Sequence, residues 1–66
     1  MKTIEEINTI LCHEVSDEEF EILLDAEYDR LDLDRRIARN GLARLTRHLA
    51  KHGLTVAEWD AWDATC

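Results

Sequence analysis

The chain contains no proline, only two glycines (Gly41 and Gly53) and only two cysteines (Cys12 and Cys66) among its 66 residues. The first two scarcities exclude a collagen-like repeat or a flexible linker, and 45% apolar residues exclude intrinsic disorder. Two cysteines are too few for a disulfide scaffold, so both are expected as free thiols in a reducing compartment. Long hydrophobic runs are missing as well. The longest bulky run is Ile22-Leu23-Leu24, and Met1-Lys2-Thr3 leads straight into polar-studded sequence. Neither a membrane span nor a secretion signal is expected, and the expected location is the cytoplasm. Catalytic motifs are absent too: there is no Gly-rich phosphate loop, no nucleophile elbow and no Ser-His-Asp or Cys-His signature. A chain this short buries only about 60% of its unfolded surface, which leaves no room for a deep cleft. The sequence therefore points away from an enzyme and calls for no cofactor.

What remains is a helical pattern. Three capping boxes, in which a hydroxyl and a carboxylate three residues on satisfy two orphan backbone donors, stand at Thr3/Glu6, Ser16/Glu19 and Thr55/Glu58. Hydrophobic staples support the last two, Val15 with Phe20 and Leu54 with Trp59. The first helix is predicted from Thr3 to His13, with Ile4, Ile7, Ile10 and Leu11 at helical spacing. The second starts at Ser16 and carries Phe20, Leu23, Leu24, Tyr28 and Leu31 on one side. A break is expected at 32–34, where Asp32 or Asp34 can cap a new helix. The third carries Ile37, Leu42, Leu45 and Leu49 inward and ends at Gly53, a residue suited to the left-handed conformation past a helix end. Asn40-Gly41 is read as a close approach of a neighbouring helix rather than a turn, because the apolar period passes through it. The fourth runs from Thr55 to about Ala64 with Val56 and Trp59 inward. No strand alternation or internal repeat is visible, so the expected fold is all-α, a single domain over residues 1–66 built as a compact bundle of three to four short helices.

Charge is distributed unevenly along this pattern. Residues 1–34 hold twelve acids against Lys2 and Arg30, a net of −10; residues 35–52 hold six cations and no acid; residues 53–66 add −3, for −7 in all. On the second helix Glu18, Glu21, Asp25, Asp29 and Asp32 fall together on the side away from the apolar residues. At about 1.5 Å rise per residue they form a stripe roughly 21 Å long. Like charges at such spacing repel by roughly 0.2–0.5 kcal/mol per pair. Three readings of the stripe are open. It is a solvated helix face; or the basic helix neutralises it internally through Arg36, Arg39 or Arg47; or it docks into a basic groove as an imitation of a nucleic acid backbone.

Other constellations carry less. His48 and His52, four apart on a helix, suit a shared metal with Cys12 and His13, but adjacent Cys12-His13 lacks the usual ligand spacing, so no metal site is predicted. Arg35, Arg36, Arg39, Arg44, Arg47 and Lys51 make a basic face, with Arg36, Arg39, Arg47 and Lys51 the residues expected to contact nucleic acid or an acidic protein. The overall negative charge opposes direct nucleic-acid binding. Trp62 and Ile22, if partly exposed, would serve as interface anchors; otherwise both tryptophans fill the core.

The stretch Leu49-Ala50-Lys51-His52-Gly53-Leu54-Thr55-Val56-Ala57-Glu58-Trp59 resembles the helix junction of MarR-type transcription regulators, where a His-Gly-Leu-Thr-like turn precedes a helix opening with Glu or Gln and Trp. The resemblance covers a fifth of the chain and implies a helix–turn–helix joint without DNA readout. In size, acidity and helical make-up the whole chain is similar to small phage-encoded inhibitors of the anti-CRISPR type. That likeness implies a non-enzymatic inhibitor that occupies the nucleic-acid-binding surface of a protein such as a CRISPR effector. The residues expected to make the contact are those of the acidic stripe: Glu18, Glu21, Asp25, Asp29 and Asp32.

Overall fold

The computed structural model describes residues 1–65; Cys66, expected as a free thiol, lies outside them. Four α-helices follow one another, α1 (Ile4–Thr9), α2 (Asp17–Arg30), α3 (Arg35–Ala50) and α4 (Val56–Asp63), and the described residues contain no strand. The fold is therefore the expected all-α bundle. No helix is long and apolar enough to cross a membrane, among the described residues.

Each helix begins where its cap residue predicts. Thr3 Oγ1 accepts the Glu6 amide and Glu6 Oε1 accepts the Thr3 amide. The same reciprocal pair joins Thr55 and Glu58. At Ser16 only half of the box forms: Ser16 Oγ accepts the Glu19 amide at 3.1 Å, while the Glu19 carboxylate turns elsewhere. Asp34 caps α3 by accepting the Arg36 amide, and Asp32 Oδ1 accepts the Asp34 amide, so two aspartates shape the expected break. At the far end of α3, Gly53 has φ +71°, its amide bonds the Ala50 carbonyl, and the Leu54 amide bonds the Leu49 carbonyl. This pair of bonds closes the helix in a Schellman turn, with Leu54 and Leu49 both in the core.

The first helix departs from expectation. Its α-helical part stops at Thr9, and Ile10–Glu14 winds as a π turn that closes with the Val15 amide on the Ile10 carbonyl. The buried residues here are Ile7, Leu11 and Val15, each four after the last. Such a row drifts by about 40° per step around an α-helix of 3.6 residues per turn, and the wider π turn winds the drift back, keeping all three on the core side.

The core comprises Ile7, Leu11, Val15, Leu23, Ala26, Leu45, Leu49, Leu54 and Trp59, with Ile10, Phe20, Val56 and Trp62 packed around it. Phe20, Trp59 and Trp62 form one aromatic cluster, with Phe20 edge-on to Trp62 at 6.2 Å. Trp62 also donates its indole N–H to Asn8 Oδ1, which places it with the core rather than on an open interface. Buried Glu58 ties the N-terminus down by accepting the Lys2 amide at 2.8 Å.

The largest helix contact is α2 against α3, and Gly41 makes it possible. A Cβ at this position would lie 2.4 Å from the Arg30 amide nitrogen, 2.7 Å from the Asp29 carbonyl carbon and 2.8 Å from the Ala26 carbonyl oxygen. The glycine therefore interrupts no helix; it lets α3 lie directly on the backbone of α2, as the apolar period through Asn40-Gly41 indicates. This contact turns Leu23 and Ala26 inward and corrects the expected inner face of α2. Leu24, Tyr28 and Leu31, read from their spacing as inward, are exposed, as are Ile37 and Leu42 of α3 in part. Gly41→Ala should therefore destabilise the domain despite alanine's better helix propensity. The backbone of α2 cannot yield as a side chain would, and overpacking of this kind costs about 1–3 kcal/mol. In a domain of this size each kcal/mol lowers Tm by roughly 4–8 °C. A thermal melt of Gly41→Ala with Tm unchanged or raised would contradict the close approach.

Candidate functional site

The α2–α3 contact decides what becomes of the acidic stripe. Three residues after Gly41, Arg44 flanks α2 and reaches back across it: Nη1 donates to Asp25 Oδ2 at 2.9 Å and Nη2 to Asp29 Oδ2. Two of the five carboxylates are thus neutralised within the monomer. The cation that does this is Arg44, whereas the sequence pointed to Arg36, Arg39 or Arg47; these three face solvent, because they lie on the side of α3 turned away from Gly41. Asp32 sits at the end of the stripe and shapes the turn. Glu18 and Glu21 are exposed and meet no cation among the described residues. The structure therefore does not leave the five residues as an open row. Two are held, one is part of a turn, and two are free.

Two further charged joints were not visible in the sequence. Arg30 at the end of α2 donates to Asp60 of α4 at 2.7 Å and to Glu27 at 2.9 Å. The Asp60 carboxylate, more than burial opposes it, raises the arginine pKa further above its ordinary value. On the other end of the α2–α3 contact, Glu19 Oε1 lies 2.9 Å from His48 Nδ1 and 3.7 Å from His52 Nε2. The hydrogen bond from His48, aided by the charges of His48, Lys51 and His52, holds the Glu19 carboxyl below its ordinary value of 4.5. The four-residue spacing of the histidines was the available signal, but it named no partner, and Glu19 was already assigned to a capping box.

The histidine pair does not gather the metal ligands that the spacing suggested. Cys12 and His13 are exposed on the π turn, and the Cys12 thiol donates to Asn8 Oδ1. No group of three or more His, Cys, Asp or Glu side chains among the described residues has the geometry to hold a metal ion. On the outer side of α3, Arg35, Arg36, Arg39, Arg47 and Lys51 are exposed and form no ion pair among the described residues.

Beside the acidic stripe lies an apolar ridge. Leu24, Tyr28 and Leu31 follow at spacings of four and three on the side of α2 opposite Ala26, and they are 48%, 76% and 70% exposed. Leu33, in the turn after α2, is fully exposed. Tyr28, Leu31, Asp32 and Leu33 line a shallow open depression. The outer surface of α2 and the turn after it thus combines four large apolar side chains with Glu18, Glu21, Asp25 and Asp32.

A comparison of the chain with protein-family models, curated proteins and solved structures finds no match. Function therefore has to be argued from these surfaces.

The carboxyl groups set the acid stability. Glu58 is held below its ordinary value of 4.5, first by the Lys2 amide and then by the amide and hydroxyl of Thr55; Glu19 is lowered as described above. A group whose pKa is lower in the folded than in the unfolded chain stabilises the fold above its unfolded value, and that contribution is lost as pH falls through the folded value. Thermal melts should therefore show a Tm that falls as pH drops below about 4.5. Glu58→Gln should lower Tm at neutral pH and flatten the acid limb. A wild-type Tm that stays level down to about pH 3 would rule out this coupling.

Proposed function

We propose that the chain is a non-enzymatic protein-binding inhibitor whose α2 face docks on the basic, nucleic-acid-binding surface of a partner protein. The observation that carries this reading is the residual charge of that face. After Arg44 has neutralised two carboxylates, Glu18 and Glu21 remain exposed without a cation, and Asp25 and Asp29 are fixed in position by the arginine instead of being free to rotate. Carboxylates ordered before contact lose less entropy on binding. The similarity in size and acidity to phage-encoded inhibitors of the anti-CRISPR type supports the same reading. A cytoplasmic setting and a CRISPR effector as target belong to the proposal.

Glu18→Lys with Glu21→Lys tests it, because both side chains are exposed and form no ion pair, and a melting curve of the double variant checks that the fold tolerates a cation in the first turn of α2. Immobilised protein should capture a nucleic-acid-binding protein from host extract, duplex DNA should compete with the capture, and the double variant should lose it. Capture that survives both the substitutions and the DNA would count against the reading. Asp25 and Asp29 are poorer choices, since reversing them also breaks the Arg44 clamp.

A second reading has one specific observation in its favour. Arg35, Arg36, Arg39, Arg47 and Lys51 face solvent on a helix that carries no acid, and such a face makes phosphate contacts. This would make the protein a small regulatory adaptor that places α3 on nucleic acid or on an acidic protein. A gel-shift titration of duplex DNA and RNA separates the two. No retardation is expected at roughly 50 mM salt, a condition that favours phosphate contacts. A shift that disappears in Arg39→Ala with Arg47→Ala would transfer the function to α3.

A further inference from the structure

We infer that the outer face of α2 is a docking site for a cationic amphipathic helix, anchored by Leu24, Tyr28, Leu31 and Leu33 and oriented by the acids beside them. The inference rests on the proposed function only in assuming a protein partner with a cationic surface, and it adds what that surface must look like. A nucleic acid backbone presents charge without apolar side chains, so a pure imitation of it has no use for four exposed leucine and tyrosine side chains along its length. Their exposures of 48–100% identify these residues as available rather than as the rim of the core. At 100° per residue, Leu24 and Tyr28 form a ridge along α2 that Leu31 continues at its C-cap, while Glu18, Glu21 and Asp25 lie on the adjacent side of the helix and Asp32 follows in the turn. Leu33 extends the apolar ridge into the turn, where the depression lined by Tyr28, Leu31, Asp32 and Leu33 can accept a side chain.

A ligand complementary to both sides carries leucine-like side chains on one stripe and Lys or Arg on the adjacent stripe, which is a cationic amphipathic helix laid along α2. From Leu24 to Leu31 the apolar ridge spans about 10 Å, or about two turns of such a helix. A second copy of this chain is the competing occupant, since its α3 is cationic with Ile37 and Leu42 about 40% exposed. Charge favours the foreign segment. Two copies each bear a net charge of −7 and repel at long range, whereas a cationic segment is attracted.

The test uses two 14-residue peptides of identical leucine and lysine composition, one with the leucines on a single helical face and one scrambled, titrated into isotopically labelled protein and followed by amide shifts and fluorescence anisotropy. The facial peptide should bind more than about tenfold tighter than the scrambled one, with shifts confined to α2 and the following turn. Leu31→Ser with Leu33→Ser should weaken it by more than about tenfold, as the loss of two buried leucine contacts implies. The variant's melting curve should match the parent, because neither residue is buried. Equal affinity for both peptides, shifts mapping to α3, or wild-type affinity in the Leu31/Leu33 variant would each overturn the inference. The last result together with loss of binding in Glu18→Lys, Glu21→Lys would leave the charge-based function standing alone. Binding that depends on Leu31 and Leu33 but not on Glu18 and Glu21 would remove the cationic requirement, and so overturn the partner chemistry stated here. A concentration-dependent dimer in sedimentation, abolished by the leucine substitutions, would assign the face to a second copy and overturn it as well.

Discussion

The close approach of α3 to the backbone of α2 at Gly41 is the constraint from which most of the structure follows. A helix resting on another helix's main chain is fixed in rotation, because a turn of some tens of degrees would drive a neighbouring side chain into that backbone. With Gly41 against Ala26, Asp29 and Arg30, the antiparallel run of the pair sets what faces what. Arg44, one turn on, comes to Asp25 and Asp29, and His48, one turn further, comes to Glu19. Ala26 and Leu23 are the fully buried residues of α2, and Leu23 is the bulky one. The remaining bulky positions, Leu24, Tyr28 and Leu31, are rotated outward.

The ion pairs that follow from this geometry act more on position than on stability. Arg44 and its partners are partly exposed, and ion pairs in such settings contribute at most about 1 kcal/mol. Their clearer effect is to relieve repulsion in the middle of a helix face that carries five acids with no cation of its own among them. Arg30 does the same work at the far end, joining α2 to α4 through Asp60 and to Glu27 within its own helix. A net charge of −7 thus hides three internal joints, with Arg44, Arg30 and the histidine pair each drawing on the excess of acid. The arginines left over, Arg35, Arg36, Arg39 and Arg47, are exposed on the side of α3 away from Gly41 and leave the molecule electrically polar.

The parts legible in the sequence are those governed by one or two neighbouring residues. Thr3 with Glu6, Thr55 with Glu58, the hydroxyl of Ser16, the aspartates at the break and Gly53 each satisfy backbone groups within a few residues of themselves, so their spacing alone locates the helix ends. The inner face of α2 was not legible, because apolar spacing selects the densest hydrophobic stripe and gives alanine little weight. Here Ala26 is buried on the inner face, where α3 rests on the backbone of α2 at Gly41, a contact made 15 residues away in the chain. The same holds for the site. The acids could be placed on one face from α2 alone, but Arg44 as their partner depends on how α3 is rotated. The π turn is announced by neither proline nor glycine; its one mark is the four-residue spacing of Ile7, Leu11 and Val15, which an ordinary helical period also admits.

The exposure of Leu33 separates what the fold needs from what it carries. Both neighbours of this residue have structural tasks: Asp32 accepts the Asp34 amide, and Asp34 accepts the Arg36 amide to start α3. The turn is therefore set by the two carboxylates, and the side chain between them is free to be anything soluble. Burying a leucine is worth about 1.5–3 kcal/mol, a large fraction of the total stability of so small a domain, and Leu33 contributes none of it. With Tyr28 and Leu31 beside it the exposure is a contiguous patch rather than a single surface leucine, and contiguous patches mark interaction sites. Because the flanking aspartates hold the turn's backbone through the Asp34 and Arg36 amides, a partner that covers the leucine has its side chain, rather than the turn, to order.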